Sequence, residues 1–72
     1  PNPVKNQLHL NASNKGTYTM TINDLKGNLI NKKQFSGSEF SMPINDIESG
    51  LYILELYNFQ NKETCISKFI KH

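Results

Sequence analysis

Apolar and polar residues alternate along much of this chain with a period of two. In Thr17-Tyr18-Thr19-Met20-Thr21-Ile22-Asn23, the residues Tyr18, Met20 and Ile22 share one side and the threonines share the other. That is a half-buried strand with β-branched residues on its wet face. Leu8 and Leu10 flank His9 in the same way. Phe40, Met42 and Ile44 alternate with Ser41 and Pro43, and the proline marks an edge position or the end of a strand. Leu51-Tyr52-Ile53-Leu54 is apolar on both parities, the pattern of a central strand covered on both faces or buried at one end. In Thr64–Ile70, Ile66 and Ile70 share one face, and Cys65 and Phe69 the other.

Turn signals punctuate these runs. Leu25-Lys26-Gly27-Asn28 follows Asp24 as a hairpin turn, with Gly27 at positive φ and Asp24 bonded to its own turn backbone. Phe35-Ser36-Gly37-Ser38 and Asn58-Phe59-Gln60-Asn61 read as further turns, and Glu48-Ser49-Gly50 leads into the central strand. The pattern predicts six strands, at about Gln7–Leu10, Tyr18–Asp24, Asn28–Phe35, Glu39–Met42, Leu51–Tyr57 and Glu63–Ile70. A seventh is expected near Val4 or Ile47. No stretch keeps a helical apolar stripe for three turns, and Asn45–Glu48 forms one helical turn at most. The expected class is all-β, a small antiparallel sandwich of six to seven strands.

The length of 72 residues gives one domain and one core. A domain of this size buries only about 60% of the surface its unfolded chain exposes, which leaves little room for a deep catalytic cleft. The net charge is +2 and every positive side chain is a lysine. Arginine, the favoured reader of phosphate and guanine, is absent, and only Lys32 and Lys33 are adjacent, so nucleic acid is not an expected partner. Cys65 stands alone, so no intrachain disulfide forms, and its apolar setting predicts a small core residue. No apolar run reaches the length of a membrane span, and no segment reads as a signal peptide, so an export signal is expected upstream of Pro1. The chain begins with Pro1, and we expect a piece of a longer precursor.

Candidate chemistry is sparse. His9 reads as an outward strand residue and His72 is terminal; no Cys/His spacing marks a metal site. Nothing resembles a nucleophile elbow, and no glycine-rich loop precedes a helix. Asn45, Asp46 and Glu48 put three oxygen ligands in one loop, without the calcium-loop spacing. Asn11-Ala12-Ser13 matches a glycosylation sequon in a chain rich in asparagine. Tyr52, Tyr57, Phe59 and Phe69 are either core residues or an aromatic platform for sugar, with the core favoured in so small a domain.

Four segments in order resemble the type A C-terminal sorting domain of the type IX (Por) secretion system of Bacteroidetes. They are Pro1-Asn2-Pro3, Asp24-Leu25-Lys26-Gly27-Asn28, Ile47-Glu48-Ser49-Gly50-Leu51-Tyr52, and Lys68-Phe69-Ile70-Lys71 near the chain end. Asn28 stands where the family more often has Lys or Arg, and Cys65 matches no family feature. The resemblance implies an immunoglobulin-like sandwich spanning residues 1–72 that is a secretion signal, not an enzyme, and needs no cofactor. The implied partners are a covalently attached upstream cargo, the outer-membrane translocon and a gingipain-like sortase that cleaves upstream of Pro1. The implied route is through the periplasm to the cell surface or medium. Lys68, Phe69, Ile70 and Lys71 are the candidate recognition residues; Asp24, Gly27 and Gly50 are architectural turn residues. An accessory carbohydrate- or protein-binding module of a secreted enzyme is the competing reading, and a structural spacer a third.

Overall fold

The computed structural model describes residues 6–72 and contains four strands: β1 (Gln7–Asp24), β2 (Leu29–Pro43), β3 (Gly50–Asn58) and β4 (Glu63–Lys71). They form one antiparallel sheet in the order β2-β1-β3-β4. The all-β, antiparallel expectation holds, and β3 lies between β1 and β4, but only one of its faces is covered: Tyr52 and Leu54 are buried while Leu51 is exposed and Ile53 half-buried. The strand count differs. Apart from Asn28, which stays in the turn, all six expected segments lie within these four strands, because β1 and β2 each join two of them. Of the two places for a seventh strand, Ile47 lies in a bend and Val4 lies outside the described residues.

The joining has a physical signature. A straight strand of 18 residues would run about 60 Å at roughly 3.3 Å per residue. The longest dimension of the described molecule is 33 Å. The β1–β2 hairpin must therefore fold over, and the register shows where. Asn11 pairs with Glu39 and Gly16 with Gly37, so four residues of β1 face one of β2. Such a bulge bends the strand that carries the excess. On the other strand, Gly37 absorbs the bend at φ 115°. The sequence therefore reads as a turn at Gly37 when the backbone is in fact a kinked, continuous strand.

Side chains fasten the bend. The Tyr18 hydroxyl donates to the Asn14 carbonyl at 2.6 Å, and Asn58 Nδ2 reaches the Tyr18 oxygen at 3.4 Å. Gln60 Oε1 accepts the Thr17 amide at 3.2 Å, and the Phe59 amide donates to the Thr17 carbonyl at 3.0 Å. The tip of the β3–β4 hairpin is thereby tied to the bulge.

Folding over creates the core. Leu8, Met42 and Ile44 from the near half of the hairpin close onto Met20, Ile22, Tyr52, Leu54 and Phe69 from the far half and from β3 and β4. Met20 and Ile22 are wholly buried, each contributing on the order of 1.5–3 kcal/mol of transfer free energy. The two facing layers are halves of one curled sheet among the described residues, where a sandwich of separate sheets was expected. Leu8, Tyr18, Met20, Ile22 and Leu54 are buried as the alternation requires, whereas Leu10 and Ile53 are only half-buried. Cys65 departs from expectation. It is exposed, because the core-facing side of β4 is covered only at the Phe69–Lys71 end.

Candidate docking surface

The turn after β1 is built from one carboxylate. Asp24 Oδ1 accepts the amides of Lys26 and Asn28, each at 2.9 Å, and Oδ2 accepts Asn28 Nδ2 at 3.1 Å. The Gly27 amide returns to the Asp24 carbonyl at 3.1 Å, with Gly27 at φ 90°. This is the tight turn closed by a left-handed glycine that a three-residue hairpin loop uses. The bonds from Asn28 and Lys26 hold the Asp24 carboxyl below its ordinary range, outweighing the opposing effect of desolvation. Asn28, which departs from the commoner basic residue, serves here as a side-chain donor to the turn.

The loop between β2 and β3 is pinned by a tyrosine. The Tyr52 hydroxyl donates to the Glu48 carbonyl at 2.6 Å, four residues upstream, just as Tyr18 does to Asn14. The Ile47 amide donates to the Ile44 carbonyl at 3.3 Å, giving the single turn expected there. Burial, then the negative charges of Glu48 and Asp24, raise the Tyr52 phenol above its ordinary pKa. Gly50 opens β3 at φ 155°, with open space around it.

Strand register brings these two turns together with the chain end. Asp24 pairs with Tyr52 and Tyr52 with Phe69, so β1, β3 and β4 place the three segments side by side. The Tyr52 and Phe69 rings stack at 5.6 Å on the core face. Between the Asp24 turn and the 46–52 loop lies a cleft of about 600 Å³. Its walls include Leu25, Leu29 and Leu51, with Asp46 and Glu48 at the rim. Leu25 is 61% exposed, Leu29 59% and Leu51 38%.

The terminal strand splits its residues between two faces. Phe69 is in the core, 3% exposed, and Lys71 is buried beside it with Nζ donating to the His72 carbonyl at 3.0 Å. Lys68 and Ile70 take the opposite face, where Lys68 pairs with Ile53 and Ile70 with Leu51. Of the two lysines named as recognition candidates, Lys71 is therefore withdrawn from the surface. Sequence reading also passed over the apolar cleft wall. Leu25 and Leu29 flank the glycine turn, and Leu51 lies at the start of a strand that reads as covered on both faces or buried at one end. Their signal was an apolar residue at a position the turn geometry forces outward.

Other chemistry does not assemble among the described residues. His9 Nδ1 meets Ser41 Oγ, and His9 Nε2 lies 3.6 Å from Glu39. These are cross-strand neighbours on the hairpin's wet face, with the His9 and Glu39 side chains 53% and 70% exposed. A hydrolytic triad needs oxyanion donors and exclusion of water around it. Among the described residues no group of three metal-ligating side chains converges, and no helix is long and apolar enough to cross a membrane. The aromatics do not make a platform. Tyr52 and Phe69 are buried, and Tyr57 meets Phe59 edge-on at 87°.

The described residues form a curled all-β domain whose turn motifs and terminal strand meet at one end, beside an exposed apolar cleft. The chain belongs to the family of secretion system C-terminal sorting domains, the type IX sorting tails, which it matches over residues 1–72. No curated protein and no solved structure matches it. The family is a sorting signal and not a catalytic one, attached to a cargo and recognised by the secretion system. It implies export to the cell surface or medium. Pro1-Asn2-Pro3, the first of the four resembling segments, lies outside the described residues.

Proposed function

We propose that this domain carries an upstream cargo through the periplasm to the outer-membrane type IX translocon, which reads it at the end of the sheet where the terminal strand emerges. A surface sortase of the gingipain-like class then removes the domain upstream of Pro1. The observation that carries this reading is the register Asp24–Tyr52–Phe69, which brings two glycine turns and the last strand to one end of the sheet. Main-chain and side-chain contacts to such a strand supply affinity and specificity in peptide recognition. Of the four terminal candidates, Lys68 and Ile70 offer side chains to a partner. Phe69 and Lys71 hold the strand in place from the core side. Asp24, Gly27 and Gly50 shape the turns beside it. The perpendicular Tyr57 and Phe59 rings give no support to a carbohydrate-binding module.

The test fuses residues 1–72 to a periplasmically exported fluorescent protein in a host with a type IX system. Fluorescence is expected at the cell surface or in the medium, and the variant carrying Lys68→Ala and Ile70→Ser should remain in the periplasm while still folded. Retention of the unaltered fusion, in a host that exports a proven tail, would refute the sorting role. Normal export of the folded double variant would move recognition to another surface.

A further inference from the structure

The cleft between the Asp24 turn and the 46–52 loop has a composition unlike the rest of the molecule. Seven large apolar residues stand exposed among the described residues: Leu25, Leu29, Ile30, Leu51, Phe59, Ile66 and Ile70. Four of these, Leu25, Leu29, Ile30 and Leu51, line this one cleft. The chain has six carboxylates, and Asp24, Asp46 and Glu48 line the same cleft. Among the lysines of the described residues, only Lys26 does so. A chain of net positive charge thus gathers half of its negative charge around its largest cluster of exposed apolar side chains. Exposed apolar patches rimmed by polar groups mark interaction sites.

We infer that this cleft receives an apolar side chain carried on a basic segment of the translocon protein that recognises the tail. The inference rests on the sorting reading and adds to it the chemistry of the partner. Leu25, Leu29 and Leu51 desolvate the incoming side chain, while Asp46 and Glu48 face the flanking lysines or arginines. Complementary charge of this kind steers encounter and rejects acidic competitors. The same acidic rim opposes anionic lipid headgroups, which sets a protein partner above a membrane surface. The open space and the fixed turns on both sides let the segment enter without unfolding the domain.

Three pairs of substitutions in the fluorescent fusion test this. Leu25→Ser with Leu51→Ser removes the apolar floor, and Asp46→Lys with Glu48→Lys inverts the rim. Phe59→Ser with Ile66→Ser removes exposed apolar surface away from the cleft. Thermal melting first confirms that each variant is folded. Secreted fluorescence should fall by about tenfold or more for the first two pairs, the loss expected on removing an interface anchor. It should stay unchanged for the third. Equal export from all three, or loss only in the third, overturns the inference.

A binding arm uses the isolated 72-residue chain and a synthetic Gly-Lys-Leu-Ile-Lys-Gly peptide, followed by backbone amide shifts. Shifts confined to residues 24–30 and 46–52, weakened severalfold when glutamate replaces the peptide lysines, support the inference. Shifts elsewhere, or indifference to the flanking charge, refute it. Sedimentation of the same variants identifies a second copy of the chain as occupant if the cleft pairs abolish a dimer yet leave export intact, which also refutes it. Failure of the unaltered fusion to export would strike the sorting reading alone, because the peptide arm reads the cleft independently.

Discussion

Gly27→Ala isolates the cost of one backbone conformation. The residue sits at φ 90°, and a Cβ built there meets no atom within 4 Å. Steric crowding therefore contributes nothing, and the whole penalty is that of holding an L-residue in the left-handed region, about 1–2 kcal/mol. A chain of 72 residues has a total stability of roughly 4–11 kcal/mol at the usual per-residue value. At about 4–8 °C per kcal/mol for a domain of this size, the melting midpoint should fall by roughly 4–16 °C. Gly27→Asn should fall less, since asparagine tolerates the left-handed region, and Gly27→Val should fall more, since a β-branched residue there is a genuine outlier. Circular dichroism melts of the three variants give the ordering. Coincident midpoints for wild type, Ala and Val would refute the argument, because they would mean that the turn relaxes to negative φ without loss.

The Asp24 carboxyl is held below its ordinary value of 3.8, so it contributes stability above that pH that is lost as pH falls through the folded-state value; Asp24→Asn should remove this acid limb from a stability–pH curve. Tyr52 has the opposite sense, raised above 10.0, so stability is full below about pH 10 and declines as pH rises toward the folded value, a decline absent in Tyr52→Phe. Tyr52→Phe should also cost about 1 kcal/mol at neutral pH by leaving the Glu48 carbonyl without its donor, read by urea unfolding. Met20→Ala, at a wholly buried site, should cost about 2–5 kcal/mol, whereas Ile66→Ser, 66% exposed, should stay within about 0.5 kcal/mol.

The alternation of Tyr18, Met20 and Ile22 revealed the strand and its buried face, because a period of two assigns faces without reference to any partner. The Asp24 turn was legible for the same local reason: a carboxylate and a glycine at fixed spacing suffice to build it. The continuity of β1 was not legible. Asn11-Ala12-Ser13-Asn14-Lys15-Gly16 carries the composition of a loop, and only pairing with β2 shows that it is a bulge within a strand. Cys65 was misplaced because parity on β4 gives its face but not how far the opposing half of the hairpin extends over it. The cleft was invisible for a related reason. Its walls come from residues 24–30 and 46–52, which meet only through the long-range pairing of β1 with β3.

On the proposed reading the terminal strand does two jobs with alternate residues, and this constrains what a partner can read. Phe69 stacks on Tyr52 in the core, and Tyr52 in turn fixes the loop that walls the cleft. Ile70 lies opposite Leu51, which belongs to that cleft. The relative placement of Lys68, Ile70 and the cleft therefore exists only when Phe69 is seated. In an unfolded tail the same residues are present in sequence but share no surface. A partner that requires the strand and the cleft together discriminates between folded and unfolded domains, with the core contact of Phe69 as the link. Phe69→Ala, which leaves every exposed candidate residue intact, should then abolish export as fully as removing Lys68 and Ile70. Unfolding of the domain, not loss of a contact, would be the cause, and a stabilised background that restores folding should restore export.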